Sequence, residues 1–167
     1  MIQPISPPLF SQRDFRNCLA QFATGVCIVT SRDSMGRPVG LTANSFNSVS
    51  LSPPLVLWSL SRQAASMAVF SAHSHYVIHI LSANQIDLAK RFSDKTVKDR
   101  FADLVITEGR GGVPILPGCA AWFECANRSR YEEGDHVIFV GQVEACQYAK
   151  EVSGLPLLYH GGRYHPD

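Results

Sequence analysis

Short hydrogen-bonding side chains are concentrated in one stretch of the sequence, residues 40–54. The stretch carries hydroxyl and amide side chains at Thr42, Asn44, Ser45, Asn47, Ser48 and Ser50. Such side chains add donors and acceptors without preventing the close approach of a ligand. Residues 55–60 follow as an apolar run typical of a buried strand. A polar edge on apolar strands suits a large, planar, hydrogen-bonding ligand, although an ordinary edge strand and turn would have the same composition.

A second candidate group consists of the consecutive residues Gly134, Asp135 and His136. Glycine permits a tight turn, and a carboxylate beside an imidazole can orient the ring. The pattern predicts a histidine at the mouth of a hairpin that donates or accepts a hydrogen bond. The alternative, which so short a motif favours on its own, is a hairpin tip whose polar side chains face water.

A third candidate group is Arg62 with Ser61 and Ser66, at the start of a short predicted helix. A guanidinium and two hydroxyls can together bind a phosphate. The alternative is a solvated surface arginine. Glycine-rich nucleotide motifs are absent from the sequence, so a bound phosphate would have to be held by side chains and loop amides.

Metal binding is not predicted. His73 and His75 lie two residues apart, but no histidine or cysteine spacing is typical of a metal site. The five cysteines are odd in number and lie mostly in apolar runs. We therefore expect reduced and mostly buried thiols in a cytoplasmic protein.

The chain has 167 residues, of which 46% are hydrophobic and 17% charged, and a formal net charge of +1. The length predicts one folded domain, at residues 11–167, and the proline-rich start predicts an N-terminal arm at residues 1–10. The small net charge argues against nucleic acid or an anionic membrane as a partner. Neither a membrane-spanning stretch nor a secretory leader is recognisable.

Apolar and β-branched runs dominate the chain and predict a mainly β fold with short helices. Helices are predicted from the capping box at Ser11 to Gly25, and at residues 64–70, 83–92 and 94–101. Strands are predicted at residues 26–31, 39–46, 48–51, 54–60, 75–81, 118–130 and 135–148, with a loop at 107–117. Since helices do not alternate regularly with strands, a closed or nearly closed antiparallel barrel is favoured over a parallel sheet.

Several motifs, taken in order, carry a family resemblance over about residues 15–164. They are residues 22–26 (FATGV), 40–46 (GLTANSF), 48–50 (SVS), 53–56 (PPLV), 88–92 (LAKRF), 134–136 (GDH) and 158–164 (LYHGGRY). In these segments the sequence resembles the short-chain flavin reductases of the FMN-binding split-barrel class. Proteins of that class are the small partners of two-component flavin-dependent monooxygenases.

The resemblance implies an antiparallel Greek-key split β-barrel, usually a homodimer with flavin near the subunit interface. It also implies hydride transfer from NADH or NADPH to FMN or FAD, after which reduced flavin leaves for a separate oxygenase component. The choice within each cofactor pair stays open. Such a transfer depends on the positioning of two rings more than on a strong acid or base.

The resemblance further implies a role for each candidate group. The flavin ring would be lined by Thr42, Asn44, Ser45, Phe46, Ser48, Val49 and Ser50. The phosphate would be held by Ser61, Arg62 and Ser66, with Phe92 near the ring or its tail. His136 would be the catalytic residue and would border a nicotinamide pocket together with Tyr159, His160 and Arg163. His79 stands where many relatives carry asparagine. If that asparagine contacts flavin in the relatives, the histidine would alter either the dimer contact or the flavin preference, and the choice between the two stays open.

Two other functions remain open from the sequence. A split-barrel protein could hold FMN as a non-enzymatic electron carrier or store, which needs the flavin site but no nicotinamide pocket. An oxidase of a vitamin B6 compound has the same barrel class, but residues 42–54 resemble the reductases more closely.

Overall fold

The computed structural model describes residues 8–150 and 155–165. The helices are α1 (Gln12–Leu19), α2 (Met67–Ala72) and α3 (Ile86–Ser93), with short 3₁₀ helices at Ala83–Gln85 and Arg110–Gly112. The strands are β1 (Thr24–Gly25), β2 (Cys27–Arg32), β3 (Pro38–Ala43), β4 (Asn47–Leu51), β5 (Pro54–Ser61), β6 (His75–Ile80), β7 (Thr107–Glu108), β8 (Pro114–Ile115), β9 (Ala121–Glu133), β10 (His136–Tyr148), β11 (Leu158–His160) and β12 (Arg163–His165). The predicted mainly β fold with short helices is confirmed. Most of the predicted N-terminal arm lies outside the described residues.

Seven strands form one antiparallel sheet in the order β3-β2-β6-β9-β10-β5-β4. The two edge strands, β3 and β4, are consecutive in the chain and are joined only by residues 44–46. This link spans at most about 14 Å, whereas seven flat strands would separate the edges by about 29 Å. The sheet must therefore curl until its edges approach each other. Since β3 and β4 do not pair in the described part of the chain, the barrel is split at this point.

The interior of the barrel is packed around Trp58 of β5, which is fully buried. Its indole stacks on Phe139 with ring centroids 4.9 Å apart. It also meets Phe70 and Tyr76 in T-shaped contacts at 5.0 and 5.7 Å. Both arrangements are among those that aromatic rings prefer, so the core is specified by ring geometry as well as by burial.

A second apolar layer lies on the outer face of β2. Val26 and Ile28 pack there with Phe92 of α3 and with Leu157, which follows the gap in the described chain. Alternate residues of β2, including Val29, face the barrel interior. Because β2 is buried on both faces, its burial is continuous from Cys27 to Ser31, and its first three residues are consecutive apolar ones.

A buried histidine connects β6 to strand β2 and to the segment that follows β8. The Nδ1 atom of His79 lies 3.0 Å from the carbonyl oxygen of Ile28, and Nε2 accepts from the backbone N–H of Leu116 at 3.0 Å. Burial lowers the pKa of His79 to about 4, so the ring is neutral and Nδ1–H is the donor. His79 is fully buried and lies outside the cavity described below. The effect of His79 on the dimer contact or on the flavin preference stays a prediction.

Helix α1 begins as predicted but is shorter than predicted. The hydroxyl of Ser11 accepts from the N–H of Asp14 at 3.1 Å, which completes the capping box. The helix ends at Leu19 instead of continuing to Gly25. It ends there because the next residues form tight turns and Thr24 then pairs with Tyr159 in a separate small sheet, β1-β11-β12.

The predicted helix at residues 94–101 is wrong. The carboxylate of Asp94 accepts from both the N–H and the hydroxyl of Thr96, each at 2.7 Å. Asp99 accepts from the N–H of Phe101 at 3.0 Å. These short side-chain bonds satisfy backbone donors locally and favour turns over a helix.

The predicted loop at residues 107–117 is also wrong in part. Strand β7 pairs with β8 in a small hairpin, in which the N–H of Gly109 donates to the carbonyl of Val113 at 2.9 Å. Gly111 has a φ of 68°, which glycine adopts at little cost, so the chain can reverse within a few residues.

The cysteines are all free thiols. Cys27, Cys119 and Cys125 are buried as expected, whereas Cys18 and Cys146 are exposed. Burial raises the pKa of the Cys27 thiol to about 12, so it stays protonated and behaves as a small apolar side chain. In the described chain, no helix is both long and apolar enough to cross a membrane.

Candidate active site

A cavity of about 630 Å³ opens beside the barrel, between β3, β5, the region of α2 and the end of α3. Its volume is within the range of small-molecule binding sites. The elements that form it are far apart in the sequence, from residue 39 to residue 100. Of the residues predicted for the site, four line this cavity: Thr42, Ser61, Ser66 and Phe92.

The floor of the cavity is apolar. It is formed by Val39, Leu41, Leu60, Val69 and Phe92. Phe92 reaches this floor because Gly40 has no side chain: a Cβ there would lie 2.7 Å from the Phe92 ring. Gly40 thus allows α3 to pack closely on β3.

The rim of the cavity carries hydroxyl and amide groups. The hydroxyl of Thr42 donates to the carbonyl of Ala89 at 2.7 Å, so towards a ligand it can act only as an acceptor. The hydroxyl of Ser66 makes no capping bond to α2 and can both donate and accept. The rim also includes Ser61 and Gln63. These groups can fix the orientation of a ligand that the floor holds by contact.

Two cations, Lys95 and Arg100, also line the cavity, and both belong to the segment that follows Phe92 in the chain. They approach it because the segment after α3 folds back, with the rings of Phe92 and Phe101 in a T-shaped contact at 5.0 Å. Neither cation was predicted for the site, because residues 94–101 were predicted to form a short helix. The signal that could have revealed them is the pair of phenylalanines on either side of the stretch.

The predicted flavin-lining residues 44–50 lie at the split of the barrel and do not line the cavity. The hydroxyl of Ser45 accepts from the N–H of Ser59 at 2.9 Å, bracing the link between the two edges. Phe46 stacks against Phe123 with ring centroids 5.5 Å apart. The remaining positions, Asn44, Ser48, Val49 and Ser50, are exposed or half-buried, and the pairing of β4 with β5 is irregular between Ser48 and Ser50. Their contact with flavin stays a prediction.

His136 begins β10 directly after the two-residue turn Gly134–Asp135. Its Nδ1 lies 2.7 Å from the Asp135 carboxylate, and this hydrogen bond lowers the pKa of Asp135. His136 is paired with Ser61 across β5, so it lies one strand position from the cavity rim. The structure therefore brings the second and third candidate groups together.

Arg62 follows Ser61 but does not line the cavity. Its guanidinium lies 3.2 Å from the carboxylate of Glu132, and both side chains are more than half exposed. Its backbone N–H donates to the carbonyl of Asp135 at 2.9 Å, which ties the end of β5 to the hairpin tip. A phosphate contact of Arg62 stays a prediction.

The predicted tail residues form the hairpin β11–β12. Tyr159 meets Tyr164 in a T-shaped contact at 5.4 Å, and His160 pairs with Arg163 across the turn. The hairpin packs on the outer apolar layer, and none of these residues lines the cavity. Their contact with a nicotinamide likewise stays a prediction.

The residues present fit a flavin. A flavin has an apolar tricyclic ring with polar edges and, in FMN and FAD, an anionic phosphate on a flexible chain. The floor, the hydroxyl rim and the two cations match these three parts in kind. Among the described residues, no cluster of histidine, cysteine or acidic side chains could hold a metal.

Known proteins that are similar to this chain are named as flavin reductases. Residues 19–166 match the family model described as "Flavin reductase like domain". The chain is 42% identical over 154 residues to "FMN reductase (NADH) SmoA" of Agrobacterium fabrum, covering 92% of this chain and 85% of that protein. It is also 42% identical over 160 residues to a Rhizobium meliloti protein named "Probable flavin reductase". That match covers 95% of this chain but only 50% of the relative, so the chain spans half of that protein's length.

One solved structure has the same fold as this chain. It is an NADH:FAD oxidoreductase of Streptomyces globisporus in complex with NAD and FAD fragments, with a TM-score of 0.85 and 36% identity. The match covers 96% of this chain and 97% of that one. Further relatives are named as the reductase component or subunit of a flavin-dependent monooxygenase. The likeness extends over nearly the whole fold and confirms the predicted split-barrel class.

Proposed function

Because the chain belongs to the flavin reductase like domain family, we propose that it is an NAD(P)H-dependent flavin reductase acting on FMN or FAD. The observation that carries this proposal in the structure is the cavity beside β3 and β5. Its apolar floor, hydroxyl rim and paired cations suit the ring, the polar edges and the phosphate of a flavin. The similar proteins named above support NADH as the reductant and either flavin as the acceptor.

A bound flavin supplies the hydride-accepting ring, and the chain contributes binding and orientation. Leu41, Leu60 and Phe92 present apolar surface that excludes water from one part of the ring system. Thr42 offers only an acceptor, so it selects a donor on the ligand edge. Among the described residues no acidic side chain lines the cavity, in keeping with a reaction that depends on alignment more than on acid catalysis.

His136 is assigned as the residue that positions the nicotinamide. Its Nδ1 is held by Asp135, which leaves Nε2 as the ring nitrogen free for a ligand. Its pairing with Ser61 puts it beside the cavity rim without placing it in the cavity. The tail residues Tyr159, His160 and Arg163 are assigned to the same pocket on the family resemblance alone.

A homodimer is part of the proposal. Helix α1 buries none of its side chains, and Phe15 and Leu19 are 50% and 57% exposed, with Phe22 beyond the helix at 75%. An amphipathic helix whose apolar face is uncovered favours a partner surface. Light scattering on Phe15→Ser/Leu19→Ser should show a smaller mass than the wild type, whereas Met35→Ser, which removes an exposed apolar side chain on the β2–β3 turn, should not. An equal mass for all three proteins would contradict this assignment.

A separate oxygenase is proposed as the acceptor of reduced flavin, on the basis of relatives named as reductase components of monooxygenases. The activity itself is tested by mixing the purified protein with NADH and free FMN and following the absorbance of NADH. Oxidation well above the protein-free control is expected. Tight binding of FMN without NADH oxidation would instead favour the carrier function.

A further inference from the structure

Helix α2 stands between two cavities. Ser66, at its start, and Val69 line the cavity of about 630 Å³ that forms the candidate active site. Val69 also lines a second cavity of about 370 Å³, together with Ala72 and residues 32–34 at the end of β2 and the turn after it. Since open space adjoins the helix on two sides, packing contacts there constrain its position only weakly.

The helix is also too short to hold its own shape. It has six residues, and isolated helices of that length are not stable in water. The side chain of Ser66 makes no capping bond at its start. Phe70 is the buried residue of α2 and meets Trp58 in the barrel core, with ring centroids 5.0 Å apart. A single buried ring fixes one point of the helix, so the tilt of α2 about that point depends on other contacts.

Two side chains of β9 bind the C-terminal end of α2. The last carbonyl groups of a helix have no partner within the helix. The Nδ2 atom of Asn127 donates to the carbonyl of Phe70 at 2.7 Å and to that of His73 at 3.0 Å. The Nη1 atom of Arg130 donates to the carbonyl of Ser71. The end of the helix is therefore fixed by a neighbouring strand and not by its own sequence.

The amide of Asn127 is only partly satisfied. Its Nδ2 atom donates twice, whereas its Oδ1 atom is buried and meets no donor among the described residues. A buried acceptor without a partner reduces stability and offsets part of what the two bonds contribute. The bonds nevertheless fix the direction and distance of two carbonyl groups of α2. The placement of Asn127 is thus explained better by the position of the helix than by the stability of the barrel.

The backbone of Asn127 reinforces the same connection. Its N–H donates to the carbonyl of Ser74, directly after His73, at 2.8 Å. Asn127 lies in β9, the central strand of the seven-stranded sheet, which pairs with β6 on one side and β10 on the other. A change of the side chain leaves this backbone bond in place, so it releases the end of the helix without detaching the chain that follows.

We propose that Asn127 is a positioning residue for the flavin, supported by Arg130: the two side chains hold α2 so that Ser66 and Val69 meet the ligand. This inference rests on the proposed function, since it assumes that a flavin occupies the cavity. Neither Asn127 nor Arg130 lines the cavity, so both act through α2. If a released α2 occupies the binding position only a fraction of the time, the apparent affinity for flavin falls by that fraction.

Asn127→Leu is the main test, because leucine has a similar size and no hydrogen-bond donor. We expect KM for FMN and KM for riboflavin to rise about fivefold, as for a wall that is in place about a fifth of the time. The value of kcat should stay within about twofold and KM for NADH should not change, because α2 is already in place once flavin is bound. Fluorescence titration should show the same loss of affinity for both flavins.

Thr30→Val is the matched control for a general loss of stability. The Thr30 hydroxyl donates to the carbonyl of Pro114 at 2.6 Å, and Thr30 is fully buried and lines neither cavity. Its substitution should lower the urea midpoint but leave KM for both flavins unchanged.

Arg130→Met is a second test that does not touch the core. It removes an exposed guanidinium and keeps an apolar stem, so the urea midpoint should not change. KM for both flavins should rise about twofold, because one of the three bonds to the end of α2 is lost.

The outcomes separate this inference from the function on which it rests. If Asn127→Leu lowers the urea midpoint without changing KM for flavin, or if Thr30→Val raises that KM equally, Asn127 has only a structural role and the inference is overturned while flavin reduction stands. If Asn127→Leu does not fold, an unchanged KM in Arg130→Met overturns it. A wild-type protein that binds flavin but does not oxidise NADH overturns the proposed function, and flavin titration of the variants still decides the role of Asn127.

Discussion

Two regions of the molecule treat their polar side chains in opposite ways. Around β2 and β6, the side chains of Thr30, Ser31 and His79 are buried, and each is bonded to backbone groups. At the cavity, Lys95 and Arg100 keep their charge without an acidic partner in the described chain. Paired polar groups hold the barrel together, whereas uncompensated ones are available to a ligand. The comparison predicts that substitutions in the first region reduce stability and that those in the second reduce binding.

The largest expected effect is the loss of stability in His79→Leu. Leucine would leave the carbonyl of Ile28 and the N–H of Leu116 buried without partners. At about 1–3 kcal/mol for each group, the free energy of unfolding should fall by about 4 kcal/mol. Urea unfolding of the two proteins measures this difference.

His79→Gln keeps a donor and an acceptor and should recover part of the loss. A loss below about 1 kcal/mol in His79→Leu would show that the histidine is not a brace. Such a result would contradict the claim that buried, bonded polar side chains around β2 and β6 stabilise the barrel.

The same histidine should make stability depend on pH. Folded, His79 takes up a proton only near pH 4, whereas in the unfolded chain it does so near pH 6.5. Between these values the unfolded state binds more protons, so the contribution of the neutral ring is complete above pH 6.5 and is lost as the pH falls towards 4. The total loss over this window is about 3 kcal/mol. Urea unfolding across the window measures it.

Titration of His79→Gln provides the reference for this pH effect, because glutamine does not ionise. Its stability should vary less with pH than that of the wild type over the same range. If the free energy of unfolding of both proteins varied with pH in the same way, a group other than His79 would be responsible for the pH dependence.

Gly40→Ala tests the boundary between the two regions. The new Cβ would lie 2.7 Å from the ring of Phe92, and the carbonyl of Gly40 also holds Arg100. Overpacking of this kind costs about 2 kcal/mol. Flavin affinity should fall as well, because the floor and one cation move together. Gly25→Ala, where a Cβ would meet nothing within 4 Å, is the matched control and should change neither quantity.

The strands and the barrel could be predicted from the sequence because burial on one or both faces leaves a local apolar pattern, as in β2 and β5. The helix predicted at residues 94–101 was wrong because charged residues there form short turns around Asp94 and Asp99. Composition alone does not distinguish a charged helix from a series of such turns. The fold class was therefore more predictable than the segment that closes the cavity.

The candidate site was only partly predictable for a different reason. The cavity combines residues from β3, β5 and the segment after α3, and no local pattern records their approach. Residues 44–50 were predicted to line the flavin because they are rich in short polar side chains. In the structure they lie at the split of the barrel, where the hydroxyl of Ser45 accepts a hydrogen bond from the N–H of Ser59. The hydroxyls at Thr42, Ser61 and Ser66 were predicted, but Lys95 and Arg100 were not, because only the fold shows that both line the cavity and that neither forms an ion pair in the described chain.

The smallest expected effect on stability is that of His136→Ala, at the exposed hairpin tip. The side chain of His136 is about half exposed and, in the part of the chain that the structure describes, bonds only to the exposed Asp135, so the urea midpoint should not change. With NADH as the reductant, kcat/KM should nevertheless fall roughly tenfold, because a ring that positions the nicotinamide acts through alignment. Flavin affinity should stay the same, since His136 does not line the cavity.

Asp135→Asn, which keeps a hydrogen-bond acceptor but removes the charge, should give a smaller loss of kcat/KM with NADH. An equal loss of flavin binding in His136→Ala would place His136 in the flavin site, and the division between an apolar flavin cavity and a neighbouring nicotinamide position would have to be redrawn.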